Sequence, residues 1–273
     1  MTASMTADMR AEKLDPQLSA RVFNIVRRIA ALPEVRVAVE ANHDDNRWWP
    51  TSISDPRMRM LVAGWSTRIS YSVVDTYARV VAETDALGFE ELIALDDGEL
   101  TRLVRPLGLP VARIGYLRSL TVFIAREQDD MLDSDPDSII HRFAAQVHHA
   151  SFKVAQCAIL YGRGYHCGII PVDSGMVTRL GPALGVALPK SPMAHEVLRT
   201  LLQRCVTERV RDYRELIEQN GYHISIPTAA EPTWWMHLVL IYFKRLHLNR
   251  PNARLCPRRP MCINVIDCSH AQQ

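Results

Sequence analysis

The chain has 273 residues, 48% hydrophobic and 23% charged, enough to bury a core and to form one or two domains. Its longest apolar stretches, such as VLIY at 239–242, fall far short of a membrane span. The opening MTASMTADMRAEK lacks the apolar core of a secretion signal, so a cytoplasmic protein with no membrane partner is expected. The formal net charge is only +2, but residues 1–140 hold 16 Lys and Arg against 22 Asp and Glu, and residues 141–273 hold 16 against 8. A basic C-terminal half suits phosphates, or is ordinary surface charge. Six cysteines, widely spaced, exclude a secreted disulfide scaffold. Cys157 in VAQCAIL and Cys205 in LLQRCV read as buried thiols.

In chain order the segments read as helices. Asp55-Pro56 opens a helix expected to run to about residue 84. Asp96 and Glu99 form a capping box before LTRLVRPLG, which ends at Gly108. Pro110 starts a helix whose Val111, Ile114, Leu117, Leu120 and Ile124 fall on one stripe. Asp133-Ser134-Asp135-Pro136 starts a helix through SIIHRFAAQ, and SFKVAQCAILYG makes the next, with Lys153 in its first turn. Tyr222–Pro227 suits a short extended piece, but no run alternates cleanly enough for a sheet. The fold class expected is all-α.

Two residues carry candidate chemistry. A lysine amine, once deprotonated, attacks a sugar carbon and leaves a protonatable imine. Lys153 sits at a helix start with Arg142 and Arg163 nearby in sequence, which would disfavour added positive charge. The bland alternative is a solvated lysine. Twenty residues on, Asp173 follows Pro171-Val172; a carboxylate there can stabilise positive charge at an anomeric carbon and manage a proton. Asp173-Ser174 is equally a good helix N-cap, and the two roles are compatible.

The stretch SFKVAQCAILYGRG…IIPVDSGMVTRLGPALG resembles the helix-hairpin-helix/Gly-Pro-Asp superfamily of DNA base-excision glycosylases, endonuclease III in particular. RMLVAGWSTRISYSVV…FEELIALDDGELTRLVRPLGLPVARIGYLRSLTVFI is similar to that family's opening helices. The resemblance implies two helical domains: a six-helix barrel over 55–165, and a second domain formed by 1–54 with 166–273. It implies a monomeric DNA glycosylase with abasic-site lyase activity. Its substrate is double-stranded DNA with a damaged base or abasic site, its nucleophile at C1′ is Lys153, and its assisting carboxylate is Asp173.

The chain also departs from the family pattern. In the family, a Leu-Pro-Gly-x-Gly turn grips a DNA phosphate through backbone N–H groups; here His149 and Ser151 stand at the two glycine positions, preceded by His148. These three residues are the expected DNA contacts of the hairpin, with Arg258 and Arg259 further on. Adjacent histidines rarely converge on one metal ion, so phosphate or surface contact is the expected role of His148 and His149. Ser66 or Thr67 stands near the place of the family's base-wedging glutamine. The family closes with four cysteines around a [4Fe–4S] cluster; this chain has Cys256, Cys262 and Cys268, with His270 as a candidate fourth ligand. A clusterless tail is the alternative, and a Cys3His zinc site a lesser one. Trp48-Trp49 and Trp234-Trp235 suit stacking on bases, or core packing. The departures leave two other readings open: the same fold as a pathway-specific enzyme on a small nucleoside-like or amine substrate, or a nucleic-acid-binding protein without turnover.

Overall fold

A computed structural model describes residues 14–46, 48–127 and 134–248, and among these every regular element is helical. In chain order they are α1 (Pro16–Ala30), α2 (Pro33–His43), α3 (Pro56–Trp65), α4 (Val74–Leu87), α5 (Phe89–Ala94), α6 (Asp97–Val104), α7 (Pro110–Glu127), α8 (Pro136–Gln146), α9 (Phe152–Arg163), α10 (Ala194–Glu208), α11 (Val210–Gln219) and α12 (Thr233–Phe243). Two π-helical turns, Met176–Leu180 and Lys244–Leu248, the second continuing α12, two 3-10 turns, Tyr71–Val73 and Arg105–Leu107, and the three-residue α segment Gly181–Ala183 complete the set. Local sequence sets the starts. Asp15, Asp55 and Asp135 each precede a proline at the first helical position and accept a backbone N–H from the first turn. The capping box of Asp96 and Glu99 is present on α6.

Contacts divide the chain into two compact units, residues 45–165 and residues 1–44 with 166–273. The first division falls at 44/45, where the resemblance implied 54/55. Each unit is described by itself.

In the 45–165 unit, α3 and α9 are the central helices. Met58, Met60, Leu61, Val62, Ala63 and Trp65 of α3 and Val154–Tyr161 of α9 are buried. Gly64 allows a close approach from α7: a Cβ on it would stand 2.3 Å from the Tyr116 ring. The helix expected to run from Pro56 to about 84 is interrupted. α3 ends at Trp65, Arg68 takes a left-handed φ of 59°, and a short 3-10 turn at Tyr71–Val73 leads into α4. Buried Arg113 of α7 donates to carbonyls at this break, Trp65 O and Thr67 O at 3.3 Å, and to two at the turn before α7, Leu107 O at 2.9 Å and Gly108 O at 2.8 Å. Trp65 Nε1 answers by donating to Arg113 O at 3.2 Å. The stripe of α7 also differs from the expected one. Val111 is 82% exposed, and the buried face is Arg113, Ile114, Tyr116, Leu117, Leu120 and Phe123.

In the other unit, α12 is buried along its whole length, from Thr233 to Phe243. A helix apolar all round must be enclosed on every side; α1, α2 and α10 pack against it. Trp234 and Trp235 are 1% and 0% exposed, so they are core residues and not a platform for bases. Cys157 and Cys205 are buried thiols as expected. Tyr222–Pro227 forms no strand and has no strand partner among the described residues; Tyr222 N–H donates to Ile217 O at 3.2 Å, His223 N–H to Glu40 Oε1 at 3.0 Å and Ser225 N–H to Asp44 Oδ1 at 3.3 Å.

Candidate functional site

Lys153 stands in a helical hairpin. α8 and α9 pack together, joined by residues 147–151, and His141 of α8 meets Phe152 of α9 edge to face at 5.0 Å. The turn is built from specific backbone bonds. Val147 N–H donates to Phe143 O at 2.9 Å, Ala150 N–H to Val147 O at 3.2 Å, and His148 N–H to the Ser119 hydroxyl at 2.9 Å. His149 takes φ of 61°, the left-handed conformation that favours glycine. A histidine thus holds a glycine-type backbone conformation in this turn. Its ring lies toward α7: a Cβ on Gly115 would stand 3.4 Å from His149 Nε2. Ser151 is the N-cap of α9, its hydroxyl accepting from Val154 N–H at 3.4 Å. His148, His149 and Ser151 are exposed, and Lys153 is half-buried in the first turn.

Both arginines expected near Lys153 have partners, and Arg142's is a carboxylate. Arg142 grips the Glu127 carboxylate from Nε and Nη2, at 2.7 Å for the closer contact, and Arg163 donates to Ser134 O at 2.7 Å. Ser66, near the expected wedge position, donates its hydroxyl to Ala63 O at 2.9 Å.

Asp173 belongs to the other unit. It caps the helical segment that follows, with Oδ1 accepting from Met176 N–H at 2.7 Å. Its Oδ2 is ion-paired with the ammonium of Lys244, whose side chain is 4% exposed against 27% for Asp173. Sequence reasoning missed Lys244, although a signal was present: it is the first charged residue after the eleven-residue run TWWMHLVLIYF, so a helix that buries this run carries the lysine inward with it. Ser174 lies beside Asp173, its hydroxyl 3.5 Å from His195 Nε2.

A second polar cluster in this unit also escaped the sequence. His43 Nδ1 is 2.6 Å from Asp44 Oδ1, and the His43 and His166 rings are 5.7 Å apart. Nε2 of His43 and Nδ1 of His166 are buried without a hydrogen-bond partner. Burial holds both pKa values below the usual histidine value; Asp44 opposes this at His43, and at His166 the neighbouring His43 adds to it.

Arg258, Arg259, Cys256, Cys262, Cys268 and His270 lie outside the described residues. Within the described residues no group of three or more His, Cys, Asp or Glu side chains is arranged to hold a metal ion, and no helix is long and apolar enough to cross a membrane. No family model matches this chain, and neither a curated protein nor a solved structure does.

Proposed function

We propose that the protein is a DNA base-excision glycosylase with abasic-site lyase activity. The observation that carries this reading is the α8–α9 hairpin. It holds His149 in a left-handed conformation ahead of a helix whose first turn presents Lys153. In the reaction, the neutral Lys153 amine bonds to C1′ as the C1′–base bond breaks, and the base departs with the electron pair and a proton. The C1′–O4′ bond then opens, O4′ taking up a proton to become a hydroxyl, and leaves a protonated imine; this acidifies the C2′ proton, whose loss to a base breaks the C3′–O bond and expels the 3′ phosphate by β-elimination. Asp173 stabilises positive charge developing on the sugar. The substrate is double-stranded DNA carrying a damaged base or an abasic site, bound in part by exposed His148, His149 and Ser151. For the tail, the reading implies a cluster on Cys256, Cys262 and Cys268 and phosphate contacts from Arg258 and Arg259.

Borohydride trapping on an abasic-site duplex tests it. The wild type should form a covalent adduct and Lys153→Ala should not. Two hairpin N–H groups are already used within the protein, His148 by Ser119 and Ala150 by Val147, which leaves fewer for a DNA phosphate. Salt-dependent duplex binding with no adduct across a panel of damaged duplexes would replace this reading by DNA binding without turnover.

A further inference from the structure

Asp173 and Lys244 are 71 residues apart in sequence, yet they share one partly buried ion pair. The elements that bring them together are unusual. Asp173 precedes the π-helical turn Met176–Leu180, and Lys244 begins the π-helical turn Lys244–Leu248 that continues α12; the two turns pack against each other. A π turn is uncommon and is found disproportionately at functional sites, because its wider coil re-aims side chains that an α-helix would place elsewhere. Between them lies Gly175. A Cβ there would stand 3.1 Å from both Cδ and Nζ of Lys244 and 3.4 Å from Asp173 Oδ1. The lysine stem thus runs through a slot left by the missing side chain.

We propose that Lys244 is a positioning residue which holds Asp173 as an oriented, ionised carboxylate, reaching it through the slot at Gly175. The inference rests on the reading of Asp173 as the assisting carboxylate in the proposed reaction. Geometry fixes both oxygens of that group: Met176 N–H takes Oδ1 and the Lys244 ammonium takes Oδ2. The other charged and titratable groups on the packed elements have partners of their own. Arg179 donates to Leu248 O, Arg245 lies over the Tyr242 ring, and His247 Nε2 is 3.3 Å from Glu34. His195 meets Ser174, His237 stacks on Trp234, and Glu196 and Arg199 close on each other at 2.7 Å. An unpaired carboxylate at a partly buried site tends to take up a proton. A protonated Asp173 cannot stabilise a sugar cation, so Lys244 widens the pH range over which the reaction runs.

The test follows the Asp173 carboxyl by carbon NMR titration in the full-length protein, assigned with Asp173→Asn, beside the pH profile of cleavage on an abasic-site duplex. In Lys244→Met the titration midpoint should move up by about one pH unit or more, and the acid limb of the cleavage profile should follow it. Lys244→Arg should restore both. Gly175→Ala keeps both charges but crowds the amine, and should move the midpoint in the same direction. If Lys244→Met does not fold, Gly175→Ala carries the test. An unmoved midpoint in either folded variant overturns the inference. A moved midpoint in a protein that gives no borohydride adduct with abasic DNA would leave the coupling standing and remove the glycosylase reading.

Discussion

Arg113 does for the 45–165 unit what no apolar residue could. Arg113 is 4% exposed, and its guanidinium meets four carbonyl oxygens, two at the break after α3 and two at the turn before α7. Burial pulls its pKa below the usual arginine value, with the neighbouring Tyr77 opposing. The planar fork of arginine suits several acceptors in fixed directions, and a lysine ammonium does not. Arg113→Met should therefore cost about 3 kcal/mol of stability, because carbonyls at both turns lose a buried donor. Arg113→Lys should recover only part of it. Denaturant midpoints of the three proteins check this, and a Met variant as stable as wild type would show that other donors or water replace the guanidinium.

At the scale of elements the hairpin is the informative piece, since it asks a histidine to do what glycine does freely. The left-handed region costs an L-residue about 1–2 kcal/mol, and a β-branched residue suffers most. His149→Gly relieves that cost but loses the ring placed against Gly115, so its stability should stay near that of wild type. His149→Val should be less stable than His149→Gly by about 1–2 kcal/mol. Thermal or chemical unfolding of the pair measures the difference. Equal stabilities would mean that the turn relaxes out of the left-handed region when its side chain changes. Both variants also bear on the proposed function, because a phosphate gripped by hairpin N–H groups needs the turn more than it needs the imidazole.

For the molecule as a whole, buried His43 and half-buried His166 set a pH dependence. His43 and His166 titrate lower in the folded protein than the usual value of about 6.5, chiefly through burial. The unfolded chain therefore binds more protons as the pH drops below 6.5. Stability is complete above that value and is lost as the pH falls from it toward the depressed folded values, by at most about 1.4 kcal/mol per pH unit for each histidine. Unfolding followed at about pH 7.5, 6 and 5 should show the decline. His166→Asn should flatten the slope, which separates this contribution from that of carboxylates elsewhere; an unchanged slope would assign the decline to those.

What the sequence determined alone is local. Aspartate followed by proline fixes three helix starts, Asp96 and Glu99 fix a fourth, and the apolar run from Thr233 to Phe243 fixes a helix enclosed on all sides. The order of helix, five-residue turn and helix around Lys153 was legible for the same reason: caps and turns depend on neighbours within a few residues. Tertiary structure decided the rest. The 56–84 segment has helical periodicity throughout, yet it breaks after Trp65, where Arg113, some 50 residues away in sequence, supplies donors to the freed carbonyls. The stripe of α7 shifted because burial of Arg113 and Tyr116 turned Val111 outward. Lys244 and Asp173 carry no mark in sequence of belonging together. Their pairing needs two π turns packed side by side and a glycine between them, and long-range ion pairs of this kind arise only once the chain has folded and water has been excluded.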